Sequence, residues 1–320
     1  MKSNIVIVGS GQLGSRHLQG LADCKIPLNI SVIDNDKNML TLAKNRWDEV
    51  TKKSNIHAVR FMSSYNDISE IFFDVAIIST TSKGRANLIT ELSSNLKIRY
   101  WIIEKILAQS EVELDLIFET LKSSIGTWVN TPLRMNKWYQ EIIASTPNTS
   151  PIEVSISGNN WGLGTNAIHF LDLVSWFSNE EIVSIQTDEL EKKWIKSKRE
   201  GYWECFGTLK ADFSGGSTLV MKCNPVGDFN FFTDIKSLDY SWHIKDLEGI
   251  AYRSDGFSIP GKLDLQSEIT GNLVELILTT GACSLPNIKD STVIHRKLIK
   301  ALLKNWNSVM IDKKVKLPIT

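Results

Sequence analysis

Apolar residues in the first third of the chain fall in short runs separated by amphipathic stretches. Ile5–Val8 ends at Gly9, and Ile30–Ile33 ends at Asp34-Asn35-Asp36. Asp74–Ser79 and Tyr100–Glu104 read as buried strands, Val59–Met62 as a short extended piece, and Thr127–Asn130 as one more strand. Between them, Leu13, His17, Leu18 and Leu21 recur at helical spacing, and helices are expected over about 37–50, 84–95 and 111–122. Buried strands alternating with helices predict a parallel sheet covered on both faces, the doubly wound α/β arrangement.

The texture changes after residue 150. Pro151–Gly158, Phe206–Phe213 and Ser217–Asn224 alternate apolar and polar positions, and Gly215-Gly216 joins the last two as a hairpin. Asp228–Ile235, Tyr240–Lys245 and Gly249–Arg253 continue the strand pattern, while 165–178 and about 288–307 read as helices. This predicts an α+β domain with an open, mainly antiparallel sheet. The expected division is one domain over 1–127 and a second over 128–320.

At 320 residues the chain is long enough for two such domains. Its 36 Lys+Arg balance 36 Asp+Glu, which argues against a globally basic nucleic-acid binder. The four cysteines, at 24, 205, 223 and 283, form no CxxC or Cys/His cluster, so neither a metal site nor a redox pair is expected. No signal peptide and no membrane-spanning run is apparent, so the expectation is a cytoplasmic protein without membrane partners. Ten tryptophans are an excess, and seven of them follow residue 128. In a sheet domain they can cover a face, join subunits or meet a sugar.

Candidate chemistry begins at Gly9-Ser10-Gly11-Gln12-Leu13-Gly14, a GxGxxG between a strand and a helix. The first glycine permits the turn, the second admits a pyrophosphate against the backbone, and the third lets helix pack on strand. The anion would sit on the helix N-terminus. Asp34 lies twenty residues after Gly14 at the end of the second strand, where a carboxylate hydrogen-bonds an adenosine ribose. It would repel a 2′-phosphate, which favours NAD over NADP, although Lys37 nearby tempers that preference.

Three stretches, with the nucleotide motif, resemble the glucose–fructose oxidoreductase/inositol dehydrogenase (Gfo/Idh/MocA) family. They are the turn extended to His17, Glu104-Lys105-Ile106-Leu107-Ala108, and His169-Phe170-Leu171-Asp172-Leu173, with a similar ending in Leu317-Pro318-Ile319-Thr320. The resemblance implies a Rossmann domain followed by an α/β domain, and hydride transfer between a nicotinamide and a sugar-type carbon. It implies Lys105 and His169 as catalytic residues flanking the substrate. The cofactor contacts then comprise Gly9, Gly11, Gln12, Leu13, Gly14, Asp34, Thr80, Thr81, Glu104 and Lys105. It also implies a homodimer or homotetramer. The chemistry suits the residues: histidine takes and returns a proton near neutral pH, and a lysine ammonium stabilises charge on oxygen.

Trp161, Thr165, Asn166 and Arg134 are the candidate substrate contacts. Trp161 suits a sugar face or a loop anchor equally. Arg134 suits a substrate anion or a structural clamp. Asp172, three residues after His169, suits orienting its imidazole. The chain also departs from the family pattern. Thr165 and Ala167 replace the Asp and Gly of Asp-x-Gly-x-His-x-x-Asp, Ile106 replaces a proline, and Arg85 stands where relatives carry a histidine. These departures keep two other readings open: a catalytically silent NAD-binding sensor or scaffold, and an imine, dihydrodiol or bilin reductase on the same scaffold.

Overall fold

A computed structural model describes residues 2–68, 71–146 and 151–320. The first stretch runs β1 (Ser3–Val8), α1 (Gly14–Leu21), β2 (Leu28–Ile33), α2 (Lys37–Asp48), β3 (Ile56–Met62), β4 (Phe72–Ile78), α3 (Arg85–Asn95), β5 (Lys97–Glu104), α4 (Glu111–Leu121) and β6 (Gly126–Asn130). Next come α5 (Lys137–Ala144), β7 (Glu153–Asn159), α6 (Leu163–Ser178), β8 (Ile182–Gln186), β9 (Ile195–Lys196) and β10 (Trp203–Glu204). The chain continues through β11 (Gly207–Phe213), β12 (Thr218–Asn224), β13 (Asn230–Lys236), β14 (Ser241–Lys245), β15 (Ile250–Arg253) and β16 (Ser258–Pro260). It closes with α7 (Gln266–Thr280) and α8 (Ile288–Val309).

The first sheet has six strands in the order β3-β2-β1-β4-β5-β6, all parallel. The order reverses between β1 and β4, which makes the carboxyl ends of these two strands the switch point where open α/β sheets bind ligands. Ile5, Val6, Ile7, Val75, Ala76 and Ile77 are fully buried, as continuous apolar strands between two helical layers must be. The second sheet has eight strands, β16-β15-β14-β13-β7-β12-β11-β8. Among the described residues, only β7 and β12 of this sheet pair in parallel; its other ladders are antiparallel. The doubly wound parallel sheet plus mainly antiparallel sheet is the architecture the patterning predicts.

The chain divides into two compact units, and not by one cut at 127/128. The first comprises Met1–Leu107, Asp115–Asn130 and Asp264–Lys289; the second comprises Ala108–Leu114, Thr131–Leu263 and Asp290–Thr320. Within the first unit, α7 returns to pack on α1. Glycines allow that approach: a Cβ on Gly271 would stand 2.5 Å from the Gly20 carbonyl oxygen, and one on Gly20 would stand 2.9 Å from the Thr270 side chain. A cut placed by texture alone misses this helix, because its assignment depends on a contact about 250 residues away in sequence.

The second unit holds most of the aromatic excess as core. Trp138, Trp161, Trp194, Trp242 and Trp306 are all 4% exposed or less. Trp306 of α8 meets Trp194 and Trp203 edge-on, at centroid distances of 5.2 and 5.4 Å. The inner sheet positions Val154, Ile156, Leu219, Met221, Ile235 and Trp242 are buried, and α6 packs against β12. Alternate positions carry polar pairs: Lys236 with Glu153 at 3.1 Å, and His243 with Asp234 at 2.7 Å. These tryptophans therefore fill the interior and do not cover the outer face. Among the described residues, no helix is long and apolar enough to cross a membrane.

Candidate active site

The glycine-rich turn lies at the carboxyl end of β1. Gly9 has φ +91°, and a Cβ there would stand 2.6 Å from the backbone nitrogen of Thr80, so no larger residue fits. A Cβ on Gly14 would collide with the Gly9 carbonyl, which fixes α1 close against β1. Gly11 differs: its missing Cβ would meet only the Met39 sulfur, at 3.6 Å, so backbone is open to a ligand there. Leu13 begins α1 half-buried, and Gln12 is exposed. Arg46 of α2 holds the turn from one side, donating to the Gln12 carbonyl at 2.9 Å, the Gln12 amide oxygen at 2.5 Å and Ser15 Oγ at 2.6 Å.

Asp34 reaches the same turn from the end of β2. Its Oδ2 accepts from the Ser10 backbone N–H at 2.6 Å and from Ser10 Oγ at 3.2 Å, while Oδ1 accepts from the Asp36 N–H at 3.0 Å. The carboxylate is thus fixed over the turn, half-exposed. Thr80 and Thr81 follow β4 and are half-buried. Thr80 Oγ1 is itself buried with no hydrogen-bond partner among the described residues. A buried orphan hydroxyl is costly unless a ligand or water completes it. This hydroxyl, the open backbone at Gly11, the start of α1 and the fixed Asp34 carboxylate all fit a bound dinucleotide.

The Glu104-Lys105 pair ends β5. Glu104 is 3% exposed, and its Oε1 accepts from the Asn130 amide and meets His17 Nε2 at 2.8 Å. His17 Nδ1 continues to Thr270 Oγ1 at 3.0 Å, and Asn130 to Gln266 Oε1 at 2.8 Å. The side chain of Glu104 is therefore an internal strut between α1, β6 and α7. The carboxylate of this expected cofactor contact is met by internal donors, as a buried carboxylate must be. Lys105 is half-buried beyond it, and the Lys105–Ile106 peptide is cis.

Arg85 organises this edge. It is 1% exposed, and its guanidinium donates to the carbonyls of Thr80, Glu104 and Ile106. One side chain thus joins the turn after β4 to both residues flanking Lys105. Arginine does this because its planar fork presents several donors in fixed directions.

In the second unit His169 lies on α6, half-exposed, with Thr165 one turn before it. The Asp172 carboxylate, expected beside the imidazole, receives other groups. Arg134 donates to both of its oxygens, with Nε 2.9 Å from Oδ2, and Thr131 Oγ1 donates to Oδ2 at 2.8 Å. Arg134 also lies 5.9 Å from the Trp176 ring centre. It is the clamp of its two readings, fastening the turn Pro132–Met135 to α6. Burial raises the Asp172 pKa above the usual carboxylate value, and the Arg134 charge opposes that rise.

Trp161 is 4% exposed, edge-on to Phe170 at 5.6 Å, and its indole N–H donates to the Lys222 carbonyl at 3.3 Å. These are the contacts of the loop anchor. The Asn166 amide donates to the Trp161 carbonyl, so it tightens the same loop. Thr165 Oγ1 donates to Glu204 Oε2 at 2.6 Å.

Among solved structures, the chain resembles an oxidoreductase from Agrobacterium radiobacter in complex with NAD+, L-tartaric acid and magnesium. Identity is 15% over 96% of this chain and 97% of that one, with a TM-score of 0.74. It also resembles UDP-N-acetylglucosamine 3-dehydrogenase from Acidithiobacillus ferrooxidans, at 13% identity over 94% and 96% with a TM-score of 0.70. A scyllo-inositol dehydrogenase from Lactobacillus casei, with bound NAD(H) and scyllo-inositol, aligns at 14% identity over 96% and 98% with a TM-score of 0.70. The likeness is one of fold. Neither a family model nor a curated protein matches this sequence.

Arg46, Arg85 and Glu204 are the organising residues that sequence reasoning missed as partners of the candidate sites. Only Arg85 carried a signal, as a departure from the family pattern. The other two are ordinary charged residues whose partners become visible only when distant segments meet.

Proposed function

We propose that this protein is an NAD-dependent dehydrogenase of the Gfo/Idh/MocA type, acting on a hydroxyl-bearing carbon of a sugar or polyol. The observation that carries the reading is the Asp34 carboxylate fixed on Ser10 within a GxGxxG turn at the sheet's switch point. The fold shared with NAD(H)-bound and sugar-type dehydrogenases supports it. The α1 N-terminus and Gly11 would hold the pyrophosphate, and Asp34 the ribose hydroxyls, with NAD preferred because a carboxylate repels a 2′-phosphate.

Bound NAD would supply the hydride acceptor. His169 is assigned as the base that takes the hydroxyl proton, and Lys105 as the cation that steadies charge on the oxygen as the carbonyl forms. The Glu104 strut and the Arg85 bonds hold the backbone on both sides of Lys105.

The test mixes purified protein with NAD and a panel of sugars, polyols and sugar acids, following absorbance of reduced nicotinamide. His169→Ala and Lys105→Ala are each expected to lower kcat about 100-fold or more while calorimetry finds unchanged NAD affinity. NAD binding without turnover on any panel member would replace this reading with the silent sensor, and full turnover by Lys105→Ala would remove that lysine from the site.

A further inference from the structure

The oxygens of the glycine-rich turn are gathered to one side by a single cation from another element. Arg46 of α2 donates through one nitrogen to the Gln12 carbonyl at 2.9 Å and to Ser15 Oγ at 2.6 Å, and through the other to the Gln12 amide oxygen at 2.5 Å. Ser15 has one hydroxyl proton. With Arg46 donating to its oxygen, that proton passes on to the Gly11 carbonyl at 2.7 Å, with the Gln12 carbonyl at 3.2 Å. The Gly11 carbonyl, the Gln12 carbonyl and Gln12 Oε1 are thus all held by one guanidinium, directly or through Ser15. Arg46 is itself tied to α1: the Gln19 amide donates to its carbonyl at 2.9 Å, and Arg16 donates to Gln19 Oε1 at 2.6 Å.

A guanidinium carries donors only, so the Gln12 amide turns its oxygen to Arg46 and its NH2 group away. The three acceptors of Arg46 are neutral, so these bonds aim the guanidinium without cancelling its charge. A second cation stands close by. Burial, and then the Arg16 charge, hold the Arg46 pKa below its usual value, with Glu49 opposing. Like charges brought together beside a helix N-terminus are a cost that an anion offsets.

We propose that Arg46 is a positioning residue for the cofactor: it draws the oxygens of the turn toward α2, so that Gly11 and the start of α1 meet the dinucleotide pyrophosphate with donors and positive charge. The inference rests on the dinucleotide reading given above. The backbone at Gly11 is open, since a Cβ there would meet only the Met39 sulfur within 4 Å, at 3.6 Å. An oxygen turned into that opening would repel a phosphate. Gln12 is exposed, and its side chain reaches the opening unless it is held.

The test follows NADH fluorescence on binding, with displacement by ADP-ribose, which keeps the pyrophosphate, and by millimolar adenosine, which lacks it. Arg46→Met keeps an unbranched apolar stem and removes the fork. It is expected to weaken NADH and ADP-ribose about tenfold or more, and adenosine by less than about twofold. Arg46→Lys restores the charge as a point that cannot bridge both Gln12 oxygens and Ser15, and NADH is expected to bind it about fivefold more weakly than wild type. Ser15→Ala breaks the relay to the Gly11 carbonyl and is expected to cost about threefold on NADH and ADP-ribose. It carries the test alone if Arg46→Met does not fold.

An equal loss on adenosine and ADP-ribose assigns Arg46 to packing α2 on α1 and overturns the inference. Full recovery by Arg46→Lys assigns it to charge alone and overturns the positioning role. Unchanged NADH affinity in Arg46→Met and Ser15→Ala also overturns it, and leaves the dinucleotide reading standing. A wild-type protein that binds no NADH fails that reading itself, and the inference falls with it.

Discussion

The two candidate regions are built on opposite principles. In the first unit the glycine-rich turn is made within one strand–turn–helix segment, and Asp34 joins it from the adjacent strand, 24 residues from Ser10. In the second unit the helix carrying His169 is held by charges from far away: Glu204, 39 residues from Thr165, and Arg134, 38 residues from Asp172. The first region is mostly backbone, left open for a ligand. The second rests on buried or half-buried ionised side chains that satisfy one another. Loss of the Arg134–Asp172 pair is therefore expected to appear in stability, and loss of Asp34 in affinity.

Arg134→Ala sharpens this contrast most. It leaves the Asp172 carboxylate buried without its ion-pair partner, which costs about 3–5 kcal/mol. Burial already raises the Asp172 pKa and the Arg134 charge opposes that rise, so the loss is smaller at low pH, where Asp172 is protonated, and grows as pH rises. Urea unfolding of wild type and variant, followed from about pH 3 to about pH 8, measures it. A loss below about 1 kcal/mol at the higher pH breaks the comparison.

Asp246 is the next lever, in the same unit. The Tyr139 hydroxyl donates to its Oδ1 at 2.5 Å, and its Oδ2 is buried without a hydrogen-bond partner among the described residues. Burial pushes its pKa up to about 6. A carboxyl raised in the folded state contributes stability that is fully present below its unfolded value of about 3.9 and is lost as pH rises through about 6. The shift corresponds to about 3 kcal/mol. Asp246→Asn is expected to flatten the fall in stability between about pH 4 and about pH 7, and an unaltered pH profile contradicts the assignment.

The smallest effect is in the first unit. Asp34→Ala removes the acceptor over the turn, and NAD affinity is expected to fall about tenfold by calorimetry. The Tm should move by no more than about 2 °C, since Asp34 is half-exposed. A large Tm loss with unchanged NAD affinity inverts the comparison.

Legibility followed the same line. The turn Gly9–Gly14 and Asp34 were readable because each depends on local spacing and on a backbone that only glycine tolerates. Trp161 and Asp172 were readable only as alternatives. An indole packs equally well on a sugar or on Phe170, and a carboxylate one turn from a histidine can also take an arginine. Glu104 was readable as the end of a buried strand, but its partners were not: His17 and Asn130 supply its hydrogen bonds from other elements. The helix α7 escaped attention because its apolar positions have meaning only against α1.

The sequence by itself determined the parallel sheet, the antiparallel sheet and the nucleotide turn. Strand burial, helical period and glycine conformations are local properties that the chain carries at each position. Tertiary structure alone decided which charges met: Arg85 on the carbonyls around Lys105, Arg134 on Asp172, and Glu204 on Thr165. Electrostatic partners are chosen by distance in space and by the cost of burying an unpaired group, and neither is written in the spacing of residues along the chain.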